Sequence, residues 1–348
     1  MRETLGLLGG LQVPESVLSG RRFLFTGCGS SYYAGLSAAT LMTTLTGRPA
    51  AAAPSSEVWL LPDTYLDKDT VVVGVSRTGT TTEVVRVLEI AAQQQLPTVA
   101  LTLAASAPLL DIADFGVSMK HVGEEGRVMT QSFSNLLLAG QWLAATVAVH
   151  DGLSDGREYL DGFAALVDLL DELLPELEKH GLQVAARNST HYALLGSGPS
   201  SAVCSEGVLK LQEMTQLPSE SVAALEYRHG PIAALTRTSA LILASTPKTV
   251  AFDTILATDA LTLGYPPIVL TPLATADRFP AGAELIALPG ELPNWLWPNV
   301  YLAFFQYLSW HRTVSLGRDP ERVRNLDKTT EPVVDPHVVD LPAGRIAP

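Results

Sequence analysis

The chain has 348 residues, of which 47% are hydrophobic and 17% are charged, a composition typical of a soluble globular protein long enough for about two domains. Its 36 acidic residues outnumber 23 Lys and Arg residues, and the formal net charge of −13 disfavours nucleic acid and anionic membranes as partners. The two cysteines, Cys28 and Cys204, lie far apart in the sequence, which favours a reducing compartment over a disulfide framework.

The N-terminal residues 1–10 lack the long apolar core of a secretion signal, so we expect a cytoplasmic protein. The longest apolar run, residues 135–149, is shorter than the roughly 20 residues that a membrane span needs. It also contains Asn135 and Gln141. The run therefore predicts a buried helix rather than a membrane span.

Short apolar, β-branched runs alternate with longer helical patterns in the first half of the chain. The runs are RFLFTG from 22, TVVVGVS from 70, PTVALTL from 97 and FGVSM from 115. This alternation predicts βαβ units. We therefore expect an α/β fold with a parallel β-sheet flanked by helices on both faces.

The second half of the chain repeats these runs at one constant spacing. An offset of 169 residues relates Gly27 to Gly196, Ser76 to Ser245, and the run from 97 to the run PPIVLT from 266. The same offset places FGVSM on ELIALP from 284, and the apolar helix from 132 on YLAFFQYLSWH from 301. The pattern indicates internal duplication. It predicts two tandem domains, residues 1–165 and 166–348, joined in the helical, Glu-rich stretch 156–180.

Hydroxyl-rich turns follow the first two predicted strands, GCGSSYYAG after one and SRTGTTTE after the other. The carboxyl ends of parallel strands and the N-termini of the following helices attract anions, so these turns predict a phosphate site. The second of the corresponding turns, STPKTV from 245, is poorer in hydroxyl groups, so we expect the first copy to hold the phosphate. The alternative is that residues 76–82 only cap a helix, for which one hydroxyl group suffices.

Charged residues at helical spacing follow in the second half. Glu206, Lys210 and Glu213 occupy positions i, i+4 and i+7 of a predicted helix that Pro218 ends. Spacing alone favours a solvated stripe with a weak ion pair. His229 lies in the turn RHGP, where a histidine can change its charge near neutral pH. The other six His residues show no metal-ligand spacing, so no metal site is predicted.

Five motifs together resemble, in order, those of the sugar isomerase (SIS) family: GCGSSYYAG, SRTGTTTE, SEGVLKLQEMTQLPSES, RHGP and RNLDKTTEPV. The resemblance covers nearly the whole chain and is strongest to the isomerase half of glucosamine-6-phosphate synthase and to stand-alone phosphosugar isomerases and deaminases. It implies two tandem SIS domains. It also implies an enzyme that acts on a hexose or hexosamine 6-phosphate and uses no cofactor.

The resemblance implies a role for each matching residue. Glu213 matches the carboxylate that moves a proton between C1 and C2 of the sugar, a task that needs a pKa raised toward neutrality. His229 matches the histidine that helps to open the sugar ring, which the neighbouring subunit supplies in the synthase, so a homodimer with shared active sites is implied. Lys328 matches a C-terminal lysine that reaches the sugar. Further matches are Glu206 and Lys210 in the catalytic pocket, and Gly29, Ser30, Ser31, Ser76, Arg77, Thr78 and Thr81 in the sugar-phosphate site.

The departures from the synthase narrow the expected activity. The chain begins with MRET instead of the nucleophilic Cys of a glutaminase domain, so we expect no use of glutamine by this chain alone. Arg77 stands where the synthase carries Gln, which adds a bidentate cation. The leading hypothesis is a deaminase/isomerase of an amino sugar 6-phosphate resembling glucosamine 6-phosphate. The alternatives are a plain ketose/aldose phosphosugar isomerase, a fructosamine-6-phosphate deglycase, or a non-catalytic sugar-phosphate sensor.

Overall fold

The computed structural model describes residues 1–326, so Lys328 lies outside the described residues. The described chain forms two compact units. The first consists mainly of Met1–Glu125 and Met129–Leu160, and the second of Gly126–Val128 and Asp161–Val323. The domain bounds at residues 165 and 166 stay a prediction, because compactness does not establish which segments fold independently.

The first unit contains a parallel five-stranded sheet with helices packed around it. Its strands are β1 (Arg22–Gly27), β2 (Ala50–Pro54), β3 (Thr70–Val75), β4 (Thr98–Thr102) and β5 (Phe115–Ser118), in the order β2-β1-β3-β4-β5. Its helices are α1 (Arg2–Gly9), α2 (Glu15–Leu18), α3 (Ser30–Thr46), α4 (Ser55–Leu60), α5 (Pro62–Tyr65), α6 (Thr82–Gln93), α7 (Pro108–Ile112) and α8 (Gln131–His150). The next helix, α9 (Ser154–Ala185), contains the division between the units.

The second unit repeats this arrangement. Its strands are β6 (His191–Gly196), β7 (Ser219–Ala223), β8 (Ser239–Ala244), β9 (Ile268–Pro272) and β10 (Glu284–Leu288), in the order β10-β9-β8-β6-β7. Its helices are α10 (Pro199–Thr215), α11 (Val250–Thr262) and α12 (Trp297–Ser315). Read from the other edge, this strand order is that of the first unit.

The predicted α/β fold and its duplication are confirmed by the two sheets. The offset of 169 residues relates the starts of β1 and β6 (22 and 191), β3 and β8 (70 and 239), and α3 and α10 (30 and 199). It also relates two strands that sequence patterns did not predict, β2 and β7 (50 and 219). Each of these strands lies at an edge of its sheet.

Hydrophobicity on both faces explains the inner strands. All six residues of β3, TVVVGV, are buried, as expected for a parallel strand that helices cover on both sides.

The apolar helix α8 is by length and composition able to cross a membrane, yet 83% of its most apolar window is buried within the described structure. The prediction of a buried helix for residues 135–149 is therefore confirmed.

Candidate functional site

The two hydroxyl-rich turns of the first unit lie at the same edge of its sheet. Strands β1 and β3 are adjacent and parallel, so the turns that follow them leave from neighbouring carboxyl ends. Gly29 precedes α3, and Ser30 and Ser31 lie in its first turn with exposures of only 6% and 5%. The sheet thus brings Gly29, Ser30 and Ser31 to the same edge as residues 76–82, here called the hydroxyl loop, which lead into α6.

Ser76 organises the hydroxyl loop from within. Its hydroxyl group is 1% exposed, accepts the N–H of Gly79 at 3.0 Å and lies 2.9 Å from Oγ1 of Thr81. Gly79 has a φ of +66°, and a Cβ there would lie 2.5 Å from Cβ of Ala107. The loop therefore needs glycine at this position, both for its left-handed backbone and for its close packing.

Other side chains of the hydroxyl loop face outward. Thr78 and Thr80 are exposed, and their hydroxyl oxygens lie 2.9 Å apart. The carbonyl oxygen of Arg77 accepts the hydroxyl proton of Thr102 at 3.1 Å, which anchors the loop to β4 while the Arg77 side chain stays half-buried. Thr81 is the N-cap residue of α6 but makes no capping hydrogen bond through its side chain. The helix-cap interpretation of the loop therefore lacks the hydrogen bond on which it depends.

This arrangement suits an anion. The N-termini of α3 and α6 carry positive partial charge, and the N-cap residue of neither helix makes a capping hydrogen bond through its side chain. Exposed hydroxyl groups and the guanidinium group of Arg77 can add charge-assisted hydrogen bonds to a phosphate. The first unit thus contains the groups that phosphate binding requires.

Cys28 lies beside these residues but is not a nucleophile at neutral pH. Burial raises the pKa of its thiol to about 11, the carboxylate of Glu83 acts in the same direction, and a hydrogen bond with Ser55 acts against both. A thiol with this pKa stays protonated at neutral pH. The turn therefore offers hydrogen-bonding groups rather than covalent chemistry.

In the second unit, α10 brings Glu206, Lys210 and Glu213 together as an acid–lysine trio. The ammonium group of Lys210 lies 3.2 Å from Oε1 of Glu206 and 2.7 Å from Oε2 of Glu213. The side chains of Glu206 and Lys210 are 0% and 1% exposed, and that of Glu213 is 17% exposed. The interpretation of a solvated stripe, favoured by spacing alone, is therefore wrong.

The trio keeps its lysine charged. Burial alone would lower the pKa of Lys210, but the carboxylates of Glu206 and Glu213 outweigh it and raise that pKa above the ordinary value of 10.5. Lys210 therefore stays an ammonium ion at neutral pH and fixes one carboxylate oxygen of Glu213. The Glu213 side chain is partly exposed, so part of it is accessible from outside the helix–sheet interior.

His229 ends a short 3₁₀ turn, Glu226–His229, and is exposed. The neighbouring Arg228 donates from Nε to Asp259 of α11 at 2.6 Å, which holds this turn against the helix. Gly230 follows with a φ of +143°. The predicted loop position of His229 is confirmed.

Strand β7 separates Glu213 from His229 within the second unit. Glu213 lies in the last turn of α10, at the amino edge of the sheet where β7 begins, whereas His229 follows the carboxyl end of β7. Four residue steps of β7 span about 13 Å at roughly 3.3 Å per residue. The two side chains of one chain therefore start from opposite edges of the same sheet.

The second unit fills its counterpart of the hydroxyl loop, residues 245–250, with its own side chains. The amide N–H of Lys248 donates to Oδ1 of Asn294 at 2.7 Å. The indole ring of Trp295 packs against Gly198, the residue before α10. Side chains of the unit itself therefore take one N–H group of residues 245–250 and cover the glycine before α10, which leaves both turns less open to an anion.

Sequence patterns missed two acidic residues that the structure singles out. Glu124 accepts the N–H groups of Thr130, Gln131 and Ser132 at 2.8, 3.0 and 3.1 Å, and so caps the N-terminus of α8. Asp253 is 1% exposed, and burial raises the pKa of its carboxyl group to about 6. An acidic residue shortly before the helical pattern was the available signal for Glu124, but the burial of Asp253 has no counterpart in the sequence.

Comparison with known proteins identifies the family. The profile of the SIS domain matches residues 18–146 and 187–277, which together make up more than half of the chain. The chain belongs to the SIS domain family. The predicted resemblance and the two tandem SIS domains are thereby confirmed.

The relatives of this SIS protein are named after sugar phosphates. It is 28% identical over 333 residues to the glutamine–fructose-6-phosphate aminotransferase (isomerizing) of Pyrobaculum aerophilum, an alignment that covers 91% of this chain and 52% of the relative. The chain thus spans about half the length of the curated relatives that it matches.

Solved structures repeat the fold of this SIS protein over nearly its whole length. The glucosamine-6-phosphate deaminase of Thermotoga maritima is 25% identical with a TM-score of 0.74, covering 94% of this chain and 95% of its own. The C-terminal domain of glucosamine-fructose-6-phosphate aminotransferase from Francisella tularensis has a TM-score of 0.82 at 20% identity, with 92% and 94% coverage, and this likeness concerns the fold alone.

Proposed function

We propose that this SIS protein is a phosphosugar isomerase-type enzyme that deaminates and isomerises an amino sugar 6-phosphate resembling glucosamine 6-phosphate. The observation that carries the proposal is the acid–lysine trio, in which a buried ammonium group holds one oxygen of the Glu213 carboxylate. Burying charges is unfavourable, and ionisable groups held in the interior with a specific charged partner are typical of functional sites. The names of the Pyrobaculum and Thermotoga relatives agree with this substrate class.

Phosphate binding is assigned to the first unit. The hydroxyl groups of Ser31, Ser76, Thr78 and Thr81, together with Arg77, bind the phosphoryl group, aided by the helix N-termini. The filled counterpart loop of the second unit supports one phosphate site per chain. Ser76 also shapes the hydroxyl loop, because its hydroxyl group makes hydrogen bonds within it.

Proton transfer is assigned to Glu213. Its carboxylate takes the proton from C2 of the opened amino sugar and returns it to C1, while one proton of the C2 amine passes to the C1 carbonyl oxygen. The C2 amine thereby becomes an imine, and the C1 aldehyde becomes a CH2OH group. Water then adds to the imine, and ammonia leaves to give the ketose phosphate. Lys210 keeps the carboxylate in place, and Glu206 balances the charge of Lys210.

His229 is proposed to act in ring opening at a site completed by a second copy of this chain. The separation of Glu213 and His229 by β7 supports this assignment, because one sugar ring is shorter than the strand between them. Lys328 remains a proposed contact to the sugar on the strength of the resemblance.

The proposal is tested by incubating the protein with a panel of hexose and hexosamine 6-phosphates and measuring ammonia and the keto/aldo ratio separately. We expect ammonia and ketose to appear in equal amounts from a hexosamine 6-phosphate. A changed keto/aldo ratio without ammonia would instead indicate a ketose/aldose isomerase. Saturable binding without turnover of any sugar in the panel would indicate a sensor.

Two variant experiments assign the residues. Glu213→Gln should abolish turnover with little change in sugar-phosphate affinity, whereas the matched exposed variant Glu57→Gln should behave as the unmodified protein. Mixing Glu213→Gln with His229→Ala should partly restore activity if two chains share each site. No recovery after demonstrated subunit exchange would place both residues in one chain's site.

A further inference from the structure

A cavity of about 410 Å³ opens at the amino edge of the sheet in the second unit. Its lining comes from the segment that leads into β8 and from the end of α11 up to β9, and includes Thr236, Arg237, Ser239, Leu263, Tyr265 and Pro266. These residues belong to neither the hydroxyl loop nor the acid–lysine trio. The volume lies within the range of small-molecule sites, about 300–1,000 Å³.

Arg237 gives this cavity a positive charge. Its side chain is exposed, and within residues 1–326 it makes neither an ion pair nor a hydrogen bond. No aspartate or glutamate lines the cavity, although the chain carries 36 acidic residues. An unpaired guanidinium group at a cavity wall free of carboxylates attracts anions and can bind their oxygens in pairs.

Two hydroxyl groups lie beside Arg237 in fixed positions. Oγ of Ser239 accepts the N–H of Thr236 at 3.0 Å and lies 3.1 Å from Oγ1 of Thr236. Nδ1 of His191, the residue paired with Ser239 across β6 and β8, lies 3.1 Å from the same oxygen. Because these contacts already hold the hydroxyl groups, a ligand that bonds to them loses little binding free energy to ordering.

The opposite wall of the cavity is apolar and partly open to solvent. Leu263 is 55% exposed, so its side chain is accessible to a ligand in the cavity. Tyr265 and Pro266 continue this wall. The cavity is too large for an inorganic anion alone, so its shape suits an anion that carries an organic group.

We propose that this cavity binds a small organic oxyanion. A phosphate or carboxylate group pairs with Arg237 and accepts hydrogen bonds from Thr236 and Ser239, while an apolar ring or chain contacts Leu263 and Tyr265. None of the residues that line this cavity belongs to the proposed sugar site.

Arginine modification read out by peptide mass spectrometry tests the site directly. Phenyl phosphate is the first probe, benzoate distinguishes a carboxylate ligand from a phosphate ligand, and benzyl alcohol is the uncharged control. Phenyl phosphate at ten times its Kd should slow the reaction of phenylglyoxal with Arg237 by about tenfold. The equally exposed Arg278, which lines no part of this cavity, should react at an unchanged rate.

Variants confirm or overturn the assignment. Arg237→Ala should weaken phenyl phosphate binding at this site by about tenfold or more, Arg237→Lys should have an intermediate effect, and Arg278→Ala none. Equal protection of Arg237 and Arg278, or unchanged binding by Arg237→Ala, would refute the proposal. Arg77 is read in the same spectra, so a failure of the proposed sugar-phosphate site is seen separately.

Discussion

The acid–lysine trio makes a sharp prediction for Lys210→Met. The substitution keeps most of the side-chain volume but removes a charge that lies 3.2 Å from Glu206 and 2.7 Å from Glu213. Because Glu206 is 0% exposed, it would be left as a buried carboxylate that has lost the ammonium group of Lys210. Removing one partner of a buried ion pair costs about 3–5 kcal/mol, a large fraction of the free energy of unfolding of a typical domain.

Removing the charge of Glu206 as well provides the decisive control. Glu206→Gln combined with Lys210→Met removes both buried charges, so most of the stability lost in Lys210→Met should return. Lys179→Met, at an exposed position, should change the free energy of unfolding by no more than about 0.5 kcal/mol.

Denaturant unfolding followed by tryptophan fluorescence measures these differences, since Trp295, Trp297 and Trp310 all lie in the second unit. Hydrogen exchange of the α10 amides locates the effect on the helix. The reasoning is refuted if Lys210→Met unfolds within about 1 kcal/mol of the unmodified protein, or if the double variant is no more stable than the single one.

Three further predictions follow from burial and backbone geometry. Burial raises the pKa of Asp253 from 3.8 to about 6, so ionisation of this group destabilises the fold as the pH rises through this range. The free energy of unfolding of Asp253→Asn minus that of the unmodified protein should therefore be about 3 kcal/mol larger at pH 7 than near pH 3.5, and an equal difference at both pH values would contradict this. With a pKa of about 11, Cys28 should react with iodoacetamide at pH 8 about a hundredfold more slowly than an ordinary thiol, and the rate should rise about tenfold per pH unit. Fast alkylation of Cys28, detected by mass spectrometry, would disprove its burial. Gly79→Ala should lower the melting temperature more than Gly47→Ala, because both residues have a positive φ but only at Gly79 would the new Cβ meet another side chain, at 2.5 Å; equal losses would show that the hydroxyl loop adapts.

Much of the fold was predictable because it depends on local patterns. The inner strands are continuous apolar runs, and helices such as α6 and α9 show a hydrophobic period of 3.6 residues, so the α/β class follows from the hydrophobic pattern. The edge strands β2 (AAAAP) and β7 (SESVA) were missed, since neither has strand-like side chains. They form because their neighbours β1 and β6 present free hydrogen-bonding edges, and this requires the assembled sheet.

The candidate site, too, was predictable from the sequence only in part. The hydroxyl loop was predicted from its residue types, because their number exceeds what a helix cap needs. Its internal order was not, since the hydrogen bonds of Ser76 depend on how the loop folds back. The burial of Lys210 was also unpredictable, because the same i, i+4, i+7 spacing describes an exposed helix face.

By itself, the sequence determined the duplicated α/β architecture, its register of 169 residues and the family, because each rests on residue types and their order along the chain. Only the tertiary structure decided that two charges of α10 lie in the interior, that the second unit fills its own anion loop, and that Arg237 faces an open cavity. The physical reason is that burial and pairing are set by which surfaces meet, and these surfaces come from segments far apart in the chain.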